Sequence, residues 1–137
     1  MIPKFRVWDK QTGTIQEIES ISFKENKLVI AQRSIAWFNA DYIRNFDDIE
    51  LMQSTGLKDK NGVEIFEGDI VLISVDNGFD YLDNKKTVVQ KSEFHSGLIC
   101  KSLTNRMEYR VFKRNEAAYE YEVVGNIYEN SELLEVE

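Results

Sequence analysis

Three arginines and a phenylalanine recur at even spacings late in the chain: Arg106, Arg110, Phe112 and Arg114. In a β-strand this spacing places side chains on one side, so Met107, Tyr109 and Val111 between them would face the core. Only Glu108 interrupts the series on that side. Arginines beside an exposed aromatic ring can grip a phosphate backbone and stack on a base. The pattern therefore predicts a face that binds nucleic acid or a protein partner.

The charge distribution favours pairing of these arginines with the acidic regions 41–80 and 116–137 over binding of nucleic acid. Residues 41–80 carry ten acidic and three basic side chains, residues 85–114 carry eight basic and two acidic, and the chain after residue 114 is acidic again. The net charge of −7 opposes non-specific binding of nucleic acid by the whole molecule, because such binding neutralises phosphates. The separated charges can instead pair with one another, within one chain or between subunits.

A second group of charges lies in the stretch TGLKDKNGVEIFEGDIV, residues 55–71. Its carboxylates Glu64, Glu67 and Asp69 would suit acid–base catalysis or metal binding. Their spacing matches no calcium loop, and no histidine, serine or cysteine partner lies close by in the sequence. A catalytic group needs a partner that perturbs it, so we expect that the protein is not an enzyme.

Turn chemistry accounts for most of the same stretch. The pair Asn61-Gly62 is typical of a type I′ turn, in which both central residues have positive φ. Gly68, directly before Asp69, removes the steric penalty of a second tight turn. The stretch is therefore predicted to form two structural turns around a short strand.

We expect no cofactor and no bound metal. The chain has one cysteine, Cys100, and one histidine, His95, so it can form neither an internal disulfide nor the usual zinc sets. Cys100 lies in an apolar run and is predicted to be a buried structural thiol. His95 is predicted to end a strand, since nothing nearby in sequence orients it as a base.

No apolar run is long enough to cross a bilayer. The N-terminal residues MIPKFRVWDK mix charges with aromatic rings, unlike a basic end followed by an apolar segment. We therefore expect a cytoplasmic protein without a membrane partner.

Short β-like runs separated by turn residues predict a mainly β fold, a small and partly open barrel. The predicted strands are Lys4–Trp8, Ile15–Ile18, Ser20–Phe23, Leu28–Ala31, Ala36–Phe38, Ile49–Met52, Glu64–Phe66, Ile70–Val75, Thr87–Phe94, Gly97–Ser102, Glu108–Phe112 and Tyr119–Val124.

Residues 24–27 suit a hairpin loop, since Asn26 tolerates the left-handed conformation. Residues 39–48 fit a strand or a short helix equally. Asn130 or Ser131 can cap a C-terminal helical turn. Trp8 and Trp37 are predicted core or interface anchors.

Three segments resemble the YopX family of phage and prophage proteins: IPKFRVWDK from Ile2 to Lys10, ELMQSTGLKDKNGVEIFEGDIV from Glu50 to Val71, and YEVVGNIYENSELLE from Tyr121 to Glu135. One departure is Ser131, where the family often has proline. Serine can cap the same turn, so the expected fold does not change.

The resemblance implies a phage or prophage protein in the bacterial cytoplasm that associates with itself. It also implies an SH3-like barrel or roll over residues 56–137, with a short C-terminal helical turn and a β-rich region, residues 1–55, packed on it. The resemblance supplies no catalytic residue or substrate.

We therefore expect a non-enzymatic accessory protein that acts as a protein-interaction or homo-oligomeric assembly module with an unidentified protein partner. One alternative is a nucleic-acid-binding factor that uses the arginine face, by analogy with small β-barrels. Another is an acidic mimic of DNA that occupies a basic host or phage protein.

Overall fold

The protein, seen in a computed structural model, is described over residues 4–31, 42–111 and 118–135. Within these ranges it has eleven β-strands, two 3₁₀ turns and no α-helix, which confirms the mainly β class. The chain divides into two compact units, Met1–Gln53 and Ser54–Glu137. Strand β5, Ile49–Lys58, runs from the first unit into the second, and the predicted boundary after residue 55 falls within it.

The first unit is an antiparallel sheet in the order β4-β3-β2-β1-β5. Its strands before β5 are β1 Phe5–Asp9, β2 Thr14–Ser22, β3 Lys27–Ile30 and β4 Ile43–Asn45, and a 3₁₀ turn follows at Phe46–Asp48. Apolar side chains on alternate strand positions form its core: Val7, Leu28, Ile30 and Ile49.

Two predictions for this unit need correction or limitation. The separate strands Ile15–Ile18 and Ser20–Phe23 are one strand, because a bulge against β3 between Ile18 and Ser20 absorbs the break in alternation. The hairpin loop is confirmed, and Asn26 has φ of 57°. The predicted strand Ala36–Phe38, with Trp37, lies outside the described residues.

A buried ion pair holds the first unit together. The Arg44 Nε donates to Asp9 Oδ1 at 3.0 Å, and the two side chains are 3% and 0% exposed. Thr12 Oγ1 and the backbone N–H of Gln11 also donate to this carboxylate, at 2.7 and 3.2 Å. Burial alone raises the pKa of Asp9, but the hydrogen bonds from Arg44, Thr12 and Gln11 outweigh it and leave the pKa below its ordinary value.

The second unit contains an antiparallel sheet in the order β10-β9-β8-β7-β11. Its strands are β6 Glu64–Phe66, β7 Asp69–Asp76, β8 Tyr81–Lys91, β9 Leu98–Ser102, β10 Glu108–Tyr109 and β11 Glu120–Asn126. Strand β6 pairs with the second part of β5. Neither sheet closes into a barrel within the described residues, and the likeness to an SH3 barrel stays a prediction.

Side chains from β6 and the five-stranded sheet form the core of the second unit: Ile65, Val71, Ile73, Val89, Cys100 and Tyr121. Cys100 is fully buried, and burial raises the pKa of its thiol to about 12. The prediction of a buried structural thiol is therefore confirmed. In β11, Tyr121 is buried while its neighbour Glu120 is exposed, as alternation along a strand requires.

The turn after β5 is built on the side chain of Asp59 and not as predicted. Its buried carboxylate accepts hydrogen bonds from the backbone N–H groups of Asn61 at 2.8 Å, Val63 at 2.9 Å and Val123 at 2.9 Å. Gly62 has φ of 82°, but Asn61 does not have positive φ, so the turn is not type I′. An aspartate that accepts from the backbone ahead of it replaces the geometry that the Asn-Gly pair suggested.

The turn at Gly68 and Asp69 joins three other parts of the unit. Gly68 has φ of 90°, donates to the carbonyl of Val89 at 2.8 Å and accepts from the N–H of Ile127 at 2.9 Å. Asp69 Oδ2 accepts from the N–H of Phe66 at 2.7 Å. The left-handed backbone favours glycine here.

The C-terminal helical turn is a 3₁₀ turn at Ser131–Leu134. Asn130 lies at its N-cap position, but its side chain makes no capping hydrogen bond. Its Oδ1 instead accepts from the N–H of Asn126 at 3.1 Å, back toward β11. In the part of the chain that is described, no helix is long and apolar enough to cross a membrane.

Replacing Asp9 with asparagine should lower the free energy of unfolding by about 3–5 kcal/mol, because the buried charge of Arg44 loses its counter-charge. Urea denaturation measures this change. Lys10→Gln, which removes an exposed pair with Glu50, is the control and should cost about 1 kcal/mol or less. Equal losses in the two variants would contradict the role of the buried pair.

The same variant tests a pH dependence. Since the folded pKa of Asp9 is lowered, its stabilisation is complete above the ordinary value of 3.8 and is lost as the pH falls through the lowered value. The difference in stability between the wild type and Asp9→Asn should therefore shrink in that acidic range.

Asp59→Ala should destabilise the protein by on the order of 3 kcal/mol, since three backbone donors lose a buried acceptor. Asn61→Ala is the matched change in the same turn and should shift stability by less than about 0.5 kcal/mol, because residue 61 needs no positive φ. Thermal and urea unfolding report both values. A large loss in Asn61→Ala would reinstate the type I′ interpretation.

Candidate functional site

A groove with a volume of about 480 Å³ lies on the second unit. One wall is the loop between β8 and β9, and the other is the segment that leads into and out of β10. The side chains that line it are Phe94, His95, Ile99, Arg106, Met107, Glu108 and Arg110. Ile99 is 8% exposed, whereas Phe94 is 75% and Met107 is 54% exposed. The groove therefore has a buried apolar floor and exposed apolar walls.

The first wall is shaped by Ser92. Its backbone N–H donates to the carbonyl of Gly97 at 3.0 Å, which closes the loop. Its hydroxyl oxygen accepts from the N–H of Phe94 at 3.0 Å and from the N–H of His95 at 2.9 Å. Gly97 has φ of 105°, a value that side chains rarely allow. These bonds order the backbone that carries the ring of Phe94.

Glu108 ties the two walls together. Its carboxylate accepts from the hydroxyl of Ser92 at 2.5 Å and from the N–H of Glu93 at 2.9 Å. Strand pairing sets Glu108 opposite Lys101 of β9. Directly after β10, the carbonyl of Arg110 accepts a hydrogen bond from the hydroxyl of Tyr121 at 2.8 Å. Hydrogen bonds within the protein therefore hold the two walls of the groove together.

A cluster of charges lies beside the groove. The ammonium of Lys101, whose side chain is 7% exposed, lies 2.6 Å from Glu93 Oε1, and the guanidinium of Arg106 lies 3.2 Å from the same oxygen. The hydrogen bond and charge of Lys101 lower the pKa of Glu93, with a smaller effect of Arg106. The hydrogen bond from Ser92 lowers the pKa of Glu108. Both carboxylates therefore stay ionised at neutral pH.

The structure brings together two of the four residues predicted for the arginine face. Arg106 and Arg110 both line the groove, while Phe112 and Arg114 lie outside the described residues. Arg106 precedes the strand and has φ of 58°, so the argument from strand spacing was wrong for it. The acidic partner of Arg106 is Glu93, inside the basic segment and not in the acidic regions.

Of the three residues predicted to face the core, Met107, Tyr109 and Val111, the structure confirms two. Tyr109 and Val111 pack against the core of the second unit, as predicted. Met107 does not, because the connection from β9 has not yet entered the strand at that point. Phe94 was missed, although its position just before a His-Ser-Gly run could have indicated an exposed turn. His95 lies in this loop, beyond the end of β8.

Two of the three carboxylates at residues 64, 67 and 69 accept hydrogen bonds from nearby groups. The buried carboxylate of Asp69 accepts a hydrogen bond from the N–H of Phe66, and the carboxylate of Glu64 accepts one from the hydroxyl of Ser54. Over the described ranges, no group of three histidine, cysteine, aspartate or glutamate residues is arranged to hold a metal ion. Asn61, Gly62, Gly68 and Asp69 lie at the two turns already described.

Comparisons with known proteins agree with the sequence motifs. A family model described as YopX protein matches residues 4–135, nearly the whole chain. The chain belongs to the YopX family. It is similar to the crystal structure of protein EF1440 from Enterococcus faecalis, with 28% sequence identity and a TM-score of 0.63. That similarity covers 98% of this chain and 99% of the other. No curated protein matches the chain.

Each of the three YopX-like segments contains residues whose hydrogen bonds hold turns and strands of the fold together. The first contains Asp9, the second contains Asp59 and Gly68, and the third contains Asn126. Asn126 Oδ1 accepts from the N–H groups of the two residues that follow Ile127, at 3.0 and 2.8 Å. The groove, by contrast, is built from residues 94–110, between the second and third segments.

Replacing Lys101 with methionine should raise the pKa of Glu93 toward its ordinary value of 4.5, because Lys101 is the main cause of the lowered value. Arg106→Gln should raise it less. Titration of the glutamate side-chain carboxyl signals by NMR measures both shifts. A larger effect of Arg106→Gln would show that Lys101 does not organise this cluster.

Proposed function

We propose that this YopX protein is a non-enzymatic accessory protein of a phage or prophage, and that it acts in the bacterial cytoplasm as an interaction and self-assembly module. The groove is its docking site. The observation that carries the proposal is the pairing of apolar walls with two arginines on one preformed surface. Such a surface suits a protein segment that combines an apolar side chain with carboxylates.

Several features support a protein partner over a small substrate. The groove is open and mostly apolar, and Glu108, the one carboxylate among its described lining residues, accepts hydrogen bonds from Ser92 and Glu93 that hold the walls. The exposed ring of Phe94 and the exposed thioether of Met107 belong to residue types that are enriched in protein interfaces. The arginines can make charge-assisted hydrogen bonds with carboxylates that arrive with the partner.

Nucleic-acid binding is the second candidate, favoured by the exposed ring of Phe94 beside Arg106 and Arg110. An aromatic ring can stack on a base, and two guanidinium groups can contact the phosphates of the backbone. The net charge of −7 and the carboxylate of Glu93 beside Arg106 both oppose it. We therefore rank a protein partner first.

Light scattering after size exclusion tests the assembly role. The wild type should form a complex of more than one chain at low salt and dissociate in part at high salt, because salt screens the charged contacts. The double variant Arg106→Gln/Arg110→Gln should assemble more weakly. Lys24→Gln/Lys27→Gln removes the same two positive charges from exposed positions on the first unit and should assemble like the wild type.

A wild type that stays monomeric in concentrated solution at every salt concentration would overturn the assembly role. A labelled single-stranded oligonucleotide added to the same samples separates the two candidates. Salt-sensitive binding that is lost in the arginine variant would place nucleic acid first, and an unbound oligonucleotide at low salt would remove that candidate.

A further inference from the structure

The hairpin between β7 and β8 carries an unusual tip. The side-chain oxygen of Asn77 accepts from the N–H of Phe79 at 2.9 Å and from the N–H of Asp80 at 2.8 Å, and Gly78 has φ of 88°. This turn holds Phe79 with 97% of its surface exposed, and Tyr81 beside it is 71% exposed. The hydrogen bonds fix the backbone of the turn, so a protruding ring at this position is suited to act as a binding anchor with little loss of backbone entropy on docking.

The tip is also acidic. Residues 76–83, DNGFDYLD, contain three aspartates and no basic residue. A second cavity of about 350 Å³ beside the hairpin is lined by Asp76, Asp83 and Glu120. Asp80 accepts from the hydroxyl of Tyr119 at 3.1 Å, which fixes it next to the tip. The tip therefore combines an apolar ring with carboxylates, the chemistry that suits the groove.

We infer that the groove of one copy binds the hairpin tip of a second copy, with Phe79 against Phe94, Ile99 and Met107 and the aspartates beside Arg106 and Arg110. This inference rests on the proposed assembly role and names its partner. It is argued from charge complementarity and from the exposed apolar side chains on both surfaces.

The tip and the groove lie at opposite ends of one strand, so the contact joins two copies. Tyr81 begins β8 opposite Asp76, whereas Gln90 near its end pairs with Ile99 on the floor of the groove. At a rise of 3.3 Å per residue, the nine intervening steps separate them by roughly 30 Å along the strand. A tip at one end cannot enter the groove at the other end of its own strand.

The resulting contact is heterologous. Each copy offers its tip to one neighbour and its groove to another, so the contacts build a ring when the rotation closes and an open chain when it does not. This property gives the test its design, because a defect in the tip and a defect in the groove lie on different sides of each interface.

The experiment uses the full chain with two single variants, Phe79→Ala in the tip and Met107→Glu in the groove. Both residues are exposed, so both variants should fold, which circular dichroism verifies. Each variant alone should assemble about tenfold more weakly or worse, as expected for a central anchor. Phe23→Ala, at a phenylalanine that is 75% exposed on the first unit, is the control and should assemble like the wild type.

Mixing decides the arrangement. Equal amounts of Phe79→Ala and Met107→Glu should form a one-to-one dimer in light scattering, because the intact tip of the second variant can enter the intact groove of the first. A mixture that stays monomeric, although each variant is folded, would overturn the head-to-tail contact.

The outcomes separate this inference from the function on which it rests. Assembly lost in Met107→Glu but retained in Phe79→Ala would show that the groove binds another occupant; the inference would fail and the assembly role would stand. Retention in both variants would remove the groove from assembly. A wild type that is monomeric throughout would overturn the assembly role and the inference together.

Discussion

The buried carboxylate of Asp59 joins two parts of the chain that are 64 residues apart, the turn after β5 and strand β11. It accepts from three main-chain N–H groups, and a buried donor without an acceptor is costly. The turn and the strand therefore hold each other in place. Asp9 has the corresponding role in the first unit, where its partner is the guanidinium of Arg44. In both units a buried acid, and not the sheet alone, determines how distant segments meet.

Carboxylates also organise the groove, although Glu93 and Glu108 are more exposed than Asp59 and Asp9. Glu108 accepts hydrogen bonds from Ser92 and Glu93 on the opposite wall. Glu93 forms ion pairs with Lys101 and Arg106, so the carboxylates of the basic segment position its cations. This leaves an apolar interior with arginines beside it. At the other end of β8 the chain is acidic and aromatic. The groove and the acidic tip, two surfaces of opposite charge, thus lie at opposite ends of one strand. Complementary surfaces placed in this way can join copies of the protein head to tail.

Much of the fold follows from local pattern. Strand β6 has the predicted bounds, β7 extends one residue beyond the prediction at each end, and the C-terminal turn lies where it was expected. The details of the turns did not follow, because they depend on partners outside the local window. The Asn-Gly pair suggested a hairpin turn, but the carboxylate of Asp59 offered the backbone a different set of hydrogen bonds. Asn130 likewise turned from its cap position to the backbone of Asn126.

The sequence by itself determined the mainly β class, the family, the burial of Cys100 and the presence of arginines near residue 108. Those properties depend on alternation, composition and motif order, which are local. Only the tertiary structure decided that Arg106 and Arg110 share a groove with Phe94 and that Met107 faces outward. The groove exists because hydrogen bonds join residues 15 and 16 positions apart across two loops, and no periodic pattern encodes which loop side chains such bonds leave exposed.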